Sequence, residues 1–175
     1  MEDRGLADLL DTVWSRLQRG VADRRHPARH PVLASIGPDG PEARTLVLRG
    51  ARRDEALLEL HTDAMSPKAA QIARDPRVAL HVWVPKDRLQ IRLRARAELH
   101  PGDPSLFASL PVQARANYGG AVPGEAPQAP PPDGELARFT LIRCTLSEID
   151  ALVLDTLHRR ARFTGPDWTG RWIAP

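Results

Sequence analysis

Residues 89–99 read Leu89-Gln90-Ile91-Arg92-Leu93-Arg94-Ala95-Arg96-Ala97-Glu98-Leu99. Leu89, Ile91, Leu93, Ala95 and Ala97 alternate with Gln90, Arg92, Arg94, Arg96 and Glu98. Period two sustained over this length predicts a strand with one face buried and one face polar. Immediately upstream, Arg77 to Val84 is a nearly continuous apolar run, and Pro85-Lys86-Asp87 supplies the turn between the two. An antiparallel pair is therefore expected at the centre of the chain.

Working outward, Val32-Leu33-Ala34-Ser35-Ile36 reads as a strand and Gly37-Pro38-Asp39-Gly40 as its turn. Ala43 to Arg49 is then the returning strand of a hairpin. Leu57 to His61 forms a third strand after the polar turn Arg52-Arg53-Asp54-Glu55. Ser66 offers an N-cap with Pro67 at the first helical position, which predicts a short helix to about Arg74. Asp75-Pro76 ends it, because a residue before proline avoids the helical region. Near the N-terminus, Leu6, Leu9, Leu10, Val13, Trp14 and Leu17 fall on one helical face, with Asp3 as expected N-cap and Gly20 as expected stop.

Beyond the alternating strand, residues 103–118 read as two short helices divided by Pro111. Residues 119–134 are rich in proline and glycine and form a long loop, a type of segment that tends to be functional or mobile. Phe139 to Leu154 returns to strand-like apolar density, and Trp168 and Trp172 are expected to dock the tail onto a surface. Six or so strands with short turns and few helices favour a small antiparallel barrel closing on itself.

The 175 residues suit one domain, residues 1–175, with a core that needs no staples. No uncharged apolar run approaches the ~20 residues that span a bilayer. Met1-Glu2-Asp3-Arg4-Gly5 does not read as a secretory leader, and the single Cys144 suits a reducing compartment, so a cytoplasmic protein away from membranes is expected. Net charge is +3, carried almost wholly by arginine; Lys68 and Lys86 are the two lysines. His158-Arg159-Arg160-Ala161-Arg162 is the densest basic cluster. It is short, acids are scattered elsewhere, and no nucleic-acid partner is expected.

The helix beginning at Ser66 should aim free backbone N–H groups outward. Lys68 lies in its first turn, where the dipole disfavours a cation unless an anion binds alongside. Arg44 and Arg49 differ by five positions on one expected strand and so point to opposite faces. By spacing alone, all three read equally well as solvated surface charges. Gln90 carries an amide that donates and accepts at once, which suits a polar ring edge, but an exposed strand glutamine reads the same way. The histidines at 26, 30, 61, 81, 100 and 158 lack metal-ligand spacing. Cys144 packs as a small apolar residue, and no nucleophile elbow, P-loop or dinucleotide fingerprint is present.

Taken in order, Arg44-Thr45-Leu46-Val47-Leu48-Arg49, Leu60-His61-Thr62, Ser66-Pro67-Lys68, Arg77 to Trp83 and Leu89 to Arg94 resemble the pyridoxamine 5′-phosphate oxidase-like family. The similarity runs from about Val32 to Leu99. Weaker matches occur at Phe107 to Gly119, Leu157 to Phe163 and Trp172 to Pro175. The resemblance implies a mainly β fold with flanking helices: a Greek-key-like split β-barrel, homodimeric, with FMN at the subunit interface. By the same resemblance Arg44, Thr62, Ser66 and Lys68 hold the FMN phosphate region, joined by His61. Backbone groups of Thr45, Leu46, Val47 and Leu48 lie along the flavin, while Gln90 and Arg160 approach its ring. Arg49 and His158 face the substrate, His158 being the expected catalytic contact, and residues 157–175 complete the site.

The departures from the family pattern matter equally. Pro67 stands where the family often has an arginine. The clamp that holds a vitamin B6 phosphate falls on Arg49, Leu106, Leu110, Ala114 and Thr156, of which only Arg49 can bind phosphate. The resemblance therefore implies an FMN oxidoreductase on a small organic substrate that need not be a B6 vitamer. Two alternatives stay open: a pyridoxamine or pyridoxine phosphate oxidase with an altered clamp, and a non-catalytic split barrel binding haem, another ligand or a partner.

Overall fold

The computed structural model describes residues 2–127, 129, 131 and 133–175. Among them nine strands form one antiparallel sheet. The strands are β1 (Val32–Gly37), β2 (Gly40–Thr45), β3 (Leu48–Arg52), β4 (Leu57–Asp63) and β5 (Arg77–Val84). They continue with β6 (Leu89–Pro101), β7 (Phe139–Val153), β8 (Arg159–Thr164) and β9 (Thr169–Ile173). The helices are α1 (Glu2–Ala22), α2 (Pro67–Arg74), α3 (Pro104–Ser109) and α4 (Val112–Arg115).

The alternation read in residues 89–99 is the alternation of the fold: Leu89, Ile91 and Leu93 are buried while Arg92, Arg94 and Arg96 are exposed. Because directly paired residues share a face, register carries this inward row across the sheet as Leu33, Leu80, Leu93, Ile149 and Phe163. All five are fully buried, each contributing about 1.5–3 kcal/mol of apolar burial. β5 alternates as strictly as β6, with Val78, Leu80, Val82 and Val84 inside; its continuous apolar look comes from Ala79 and Trp83 on the outer face.

β7 serves both halves of the barrel. Its first half pairs with β4 and its second with β8. A bulge between Arg94 and Ala95 of β6 leaves Ser147 without a register partner, between Leu146 and Glu148. Such an extra residue bends a strand and increases its twist, which lets β7 turn from one half to the other.

The strand expected from Ala43 to Arg49 is two strands: β2 pairs with β1 and β3 with β4, with Leu46 and Val47 in neither. β2 and β3 are consecutive in the chain yet stand at opposite ends of the sheet order, so this crossing is where the barrel is split. The tail does more than dock, since β8 and β9 extend the sheet beside β7. The first helix already includes Asp3, whose side chain lies outside the described residues, and it passes through Gly20 to Ala22. Gly20 is there for contact: a Cβ would lie 2.6 Å from the backbone carbon of Ala28. Trp14 and Trp168 meet edge to face at 6.1 Å, tying α1 to the β8–β9 turn.

The two short helices divided by Pro111 and the turn Gly37–Gly40 fall where expected. Gln128, Pro130 and Pro132 of the proline-rich loop lie outside the described residues. Cys144 is buried, and burial pushes its thiol up to about 12, which suits an apolar packing role. No helix among the described residues is long and apolar enough to cross a membrane.

Candidate functional site

The end of β4 and the start of α2 bring hydroxyls and cations together. Ser66 occupies the N-cap position but does not cap with its side chain; its hydroxyl instead lies 3.0 Å from Thr62 Oγ1. Lys68 Nζ donates to the same Thr62 oxygen at 3.2 Å. From the β1–β2 hairpin, Arg44 donates to Ser35 Oγ at 2.5 Å and to Gln71 Oε1 at 3.0 Å, while Ser35 donates to Gln71 Oε1 at 2.6 Å. Arg44 also pairs with the half-exposed Glu42 at 3.0 Å. Burial lowers the Lys68 pKa, the nearby Arg44 lowers it further, and Asp63 opposes.

Two cations close enough to repel, two hydroxyls and a helix N-terminus together suit a phosphate dianion. The residues present therefore fit the terminal phosphate of FMN. Beside them the chain crosses the split. Thr45 closes the β2 pairing opposite Val32, and Leu46 N–H donates to Pro31 O at 3.0 Å. Leu48 turns its side chain into the core opposite Leu60. What Leu46 and Val47 offer a flat ring is backbone that belongs to no strand.

His61 does not join this cluster. Strand parity puts Thr62 on the face of Leu58 and Leu60, and His61 on the other face with Glu59 and Asp63. There His61 meets Phe139 edge to face at 4.9 Å, and Tyr118 meets the same ring at 4.9 Å. Phe107 closes the group, its ring 6.3 Å from that of Tyr118. Arg49, opposite in direction to the buried Leu48, approaches the same place: its charge is felt by both His61 and Tyr118. Burial, then Arg49, lowers the His61 pKa to about 4. Burial raises that of Tyr118. Tyr118 was invisible in the sequence as a site residue, since only its position after two short helices distinguishes it.

Gln90 and Arg160 form a third group. Register aligns Trp83, Gln90, Leu152, Arg160 and Ile173 across five strands. Arg160 is fixed by two bonds to Asp150, at 2.9 and 2.8 Å, which hold the Asp150 carboxyl below its usual range. His158 is exposed just before β8. Arg44 is paired with inward-facing Leu33, whereas Gln90 alternates with inward-facing Leu89 and Ile91. Within one chain, the phosphate cluster and the Gln90–Arg160 group thus occupy opposite faces of the sheet.

A separate cleft of about 1000 Å³, lined by Ala51, Arg52, Glu55, Leu146, Pro166 and Trp168, holds none of these residues. No cluster of metal-ligating side chains occurs among the described residues.

Comparison with known proteins supplies the family and the fold. The family model described as pyridoxamine 5′-phosphate oxidase, FMN-binding domain, matches residues 11–101. The crystal structure of a pyridoxamine 5′-phosphate oxidase-related, FMN-binding protein from Nostoc punctiforme is 26% identical. It superposes with a TM-score of 0.77, over 94% of this chain and 96% of that one. PhzG from Burkholderia lata, solved with tetrahydrophenazine-1-carboxylic acid, shares the fold at 17% identity and a TM-score of 0.68, over 97% and 92% of the two chains. A tRNA dimethylallyltransferase of Cupriavidus taiwanensis is 30% identical over 138 residues, 59% of this chain. The chain spans only 42% of that relative's length. With a family model covering half the chain and a solved relative that shares the fold over nearly its whole length, this protein belongs to the pyridoxamine 5′-phosphate oxidase family of FMN-binding domains.

Proposed function

We propose that the protein is an FMN-dependent oxidoreductase that acts, as a homodimer, on a small organic substrate other than a vitamin B6 phosphate. The observation that carries this reading is the opposite-face placement of the two cofactor groups. Arg44 and Lys68 of one chain can hold a phosphate, but Gln90, Arg160 and His158 of the same chain lie behind the sheet. A second copy supplies them: its outer face, with Trp83, Gln90 and Arg160 in one row, brings an amide and a guanidinium to the ring held by the first.

FMN supplies the redox chemistry when bound. The chain's own contribution is position and charge. Arg44, Lys68, Ser66 and Thr62 anchor the phosphate, and the Leu46–Val47 backbone lies along the ring. Asp150 fixes the plane of Arg160, and exposed His158 offers a proton-transfer or substrate contact. The expected B6 clamp is absent in kind: Leu106, Leu110 and Ala114 sit on or beside α3 and α4 without a charge, and Thr156 is exposed on the turn before β8.

The test is anaerobic reduction of the FMN-loaded protein by a nicotinamide donor, alongside peroxide release with pyridoxine phosphate. Flavin bleaching without peroxide from the B6 phosphate is the expected result. Efficient turnover of pyridoxine phosphate would instead favour an oxidase with a rebuilt clamp, the reading that persistence of Arg49 supports.

A further inference from the structure

The buried group on the outer face of β3 and β4 contains polar atoms with nothing to bond. Arg49 Nε and both ring nitrogens of His61 are buried without a hydrogen-bond partner. The His61 side chain is 5% exposed. Arg49 has no ion pair or hydrogen bond among the described residues. Burying such polar atoms unsatisfied is costly, and the half-buried Arg49 carries its charge without a counter-ion.

The other charges nearby are already matched. Glu59 Oε1 is 4.0 Å from His61 Nε2, beyond hydrogen-bond reach, and the Glu59 carboxylate is held by Arg143 at 3.2 Å and Arg52 at 3.9 Å. Asp63 pairs with Arg138 at 2.6 Å. Arg49 is left as a half-buried cation without a counter-ion, near a neutral imidazole and the Tyr118 phenol, whose rings pack on the buried Phe139 beside the half-buried Phe107.

We propose that Arg49, His61 and Tyr118 bind the carboxylate of a flat, unsaturated monocarboxylic acid, which is the substrate class of this protein. One guanidinium matches one negative charge, and the imidazole and phenol supply further hydrogen bonds to its two oxygens. A phosphate dianion would leave a charge unmatched next to Asp63 and Glu59. The partly exposed Phe107 ring offers an apolar face that favours a planar body over a flexible polyol. Calling the ligand a substrate rests on the flavoprotein reading above; the existence of the binding site does not.

Benzoate, benzamide and phenyl phosphate serve as probes, titrated into the full chain with and without FMN. Two signals are followed: the flavin absorption, and the side-chain imidazole resonances of His61. Benzoate should bind and shift the His61 resonances, with benzamide and phenyl phosphate about tenfold or more weaker. Arg49→Gln should weaken benzoate about tenfold or more while FMN uptake stays unchanged, and Tyr118→Phe should weaken it less. Should Arg49→Gln fail to fold, Arg49→Lys keeps the charge without the fork and should still lose affinity several-fold. Equal binding of benzoate and benzamide, or benzoate binding indifferent to Arg49, overturns the proposal. A protein that takes up no FMN but shows the His61 shifts would overturn the flavoprotein reading and leave this site standing.

Discussion

Arg138 and Asp63, 75 positions apart, form a buried ion pair at 2.6 Å that joins the proline-rich loop to the phosphate cluster. The guanidinium also donates to Gly120 O at 2.8 Å and Ala121 O at 3.3 Å, while Asp63 accepts the Met65 N–H at 2.7 Å. One side chain thus anchors the start of the loop, and its partner shapes the turn before Ser66. Arg138→Met leaves a buried carboxylate unmatched and should cost about 3–5 kcal/mol. Asp63→Asn combined with Arg138→Met should be less damaging than the sum of the two single changes. Urea unfolding of the four proteins measures the coupling, and limited proteolysis should cut the loop faster in Arg138→Met.

Lys68 and Arg44 raise each other's cost until an anion arrives. Removing either should weaken FMN by the value of a charge-assisted contact, about 10–100-fold. The double variant Arg44→Ala, Lys68→Ala should bind FMN weakest, yet melt only slightly lower than the wild-type protein without FMN, because relief of the mutual repulsion offsets the lost bonds to Ser35, Gln71, Glu42 and Thr62. FMN at ~100 times its Kd should add about 2.7 kcal/mol of stability to the wild-type protein. Thermal melts with and without FMN check both statements.

His61 makes stability depend on mildly acidic pH. Its folded-state pKa is about 4, against 6.5 for an ordinary imidazole, through burial first and Arg49 second. The unfolded chain therefore binds the proton more readily, and the contribution is full above about pH 6.5 and lost as pH falls towards 4. A full shift of this size sets a ceiling of about 3 kcal/mol, which solvent screening brings to about 1–2 kcal/mol. His61→Phe should flatten this limb of the stability profile, measured by urea unfolding between pH 7 and about 4.5, leaving the carboxylate-driven loss at lower pH.

Gly20 tests the packing of α1. In an exposed helix, glycine to alanine gains about 1 kcal/mol. Here the new Cβ would stand 2.6 Å and 2.7 Å from backbone atoms of Ala28. Gly20→Ala should therefore lose about 1–3 kcal/mol by overpacking, seen as a lower melting temperature.

The inner strands were legible because a half-buried strand writes period two into its residues, as residues 77–84 and 89–99 do. The helix at Ser66 was legible from local chemistry, serine and proline at the start and Asp75-Pro76 at the end. The break at Leu46–Val47 was not. The apolar pattern runs through it unbroken, and only the long-range pairing of β2 with β1 and β3 with β4 separates the two strands. β8 escaped notice because only Ala161 and Phe163 face inward between arginines, so the segment reads as a charge cluster. The cofactor residues came from ordered resemblance rather than from spacing. That resemblance grouped His61 with Thr62, although strand parity sends adjacent side chains to opposite faces. Tyr118 and the partnerless state of Arg49 depend on tertiary burial, which no local pattern records.

FMN uptake at Arg44 and Lys68 is the property from which the proposed chemistry follows. The decisive measurement is titration of FMN into the purified full chain, followed by flavin absorption and fluorescence, with sedimentation of the same samples. The expected result is one FMN per chain, a dimer, and at least a tenfold weaker titration for Lys68→Ala. A protein that leaves FMN free, or binds it equally well without Lys68 and Arg44, would contradict it.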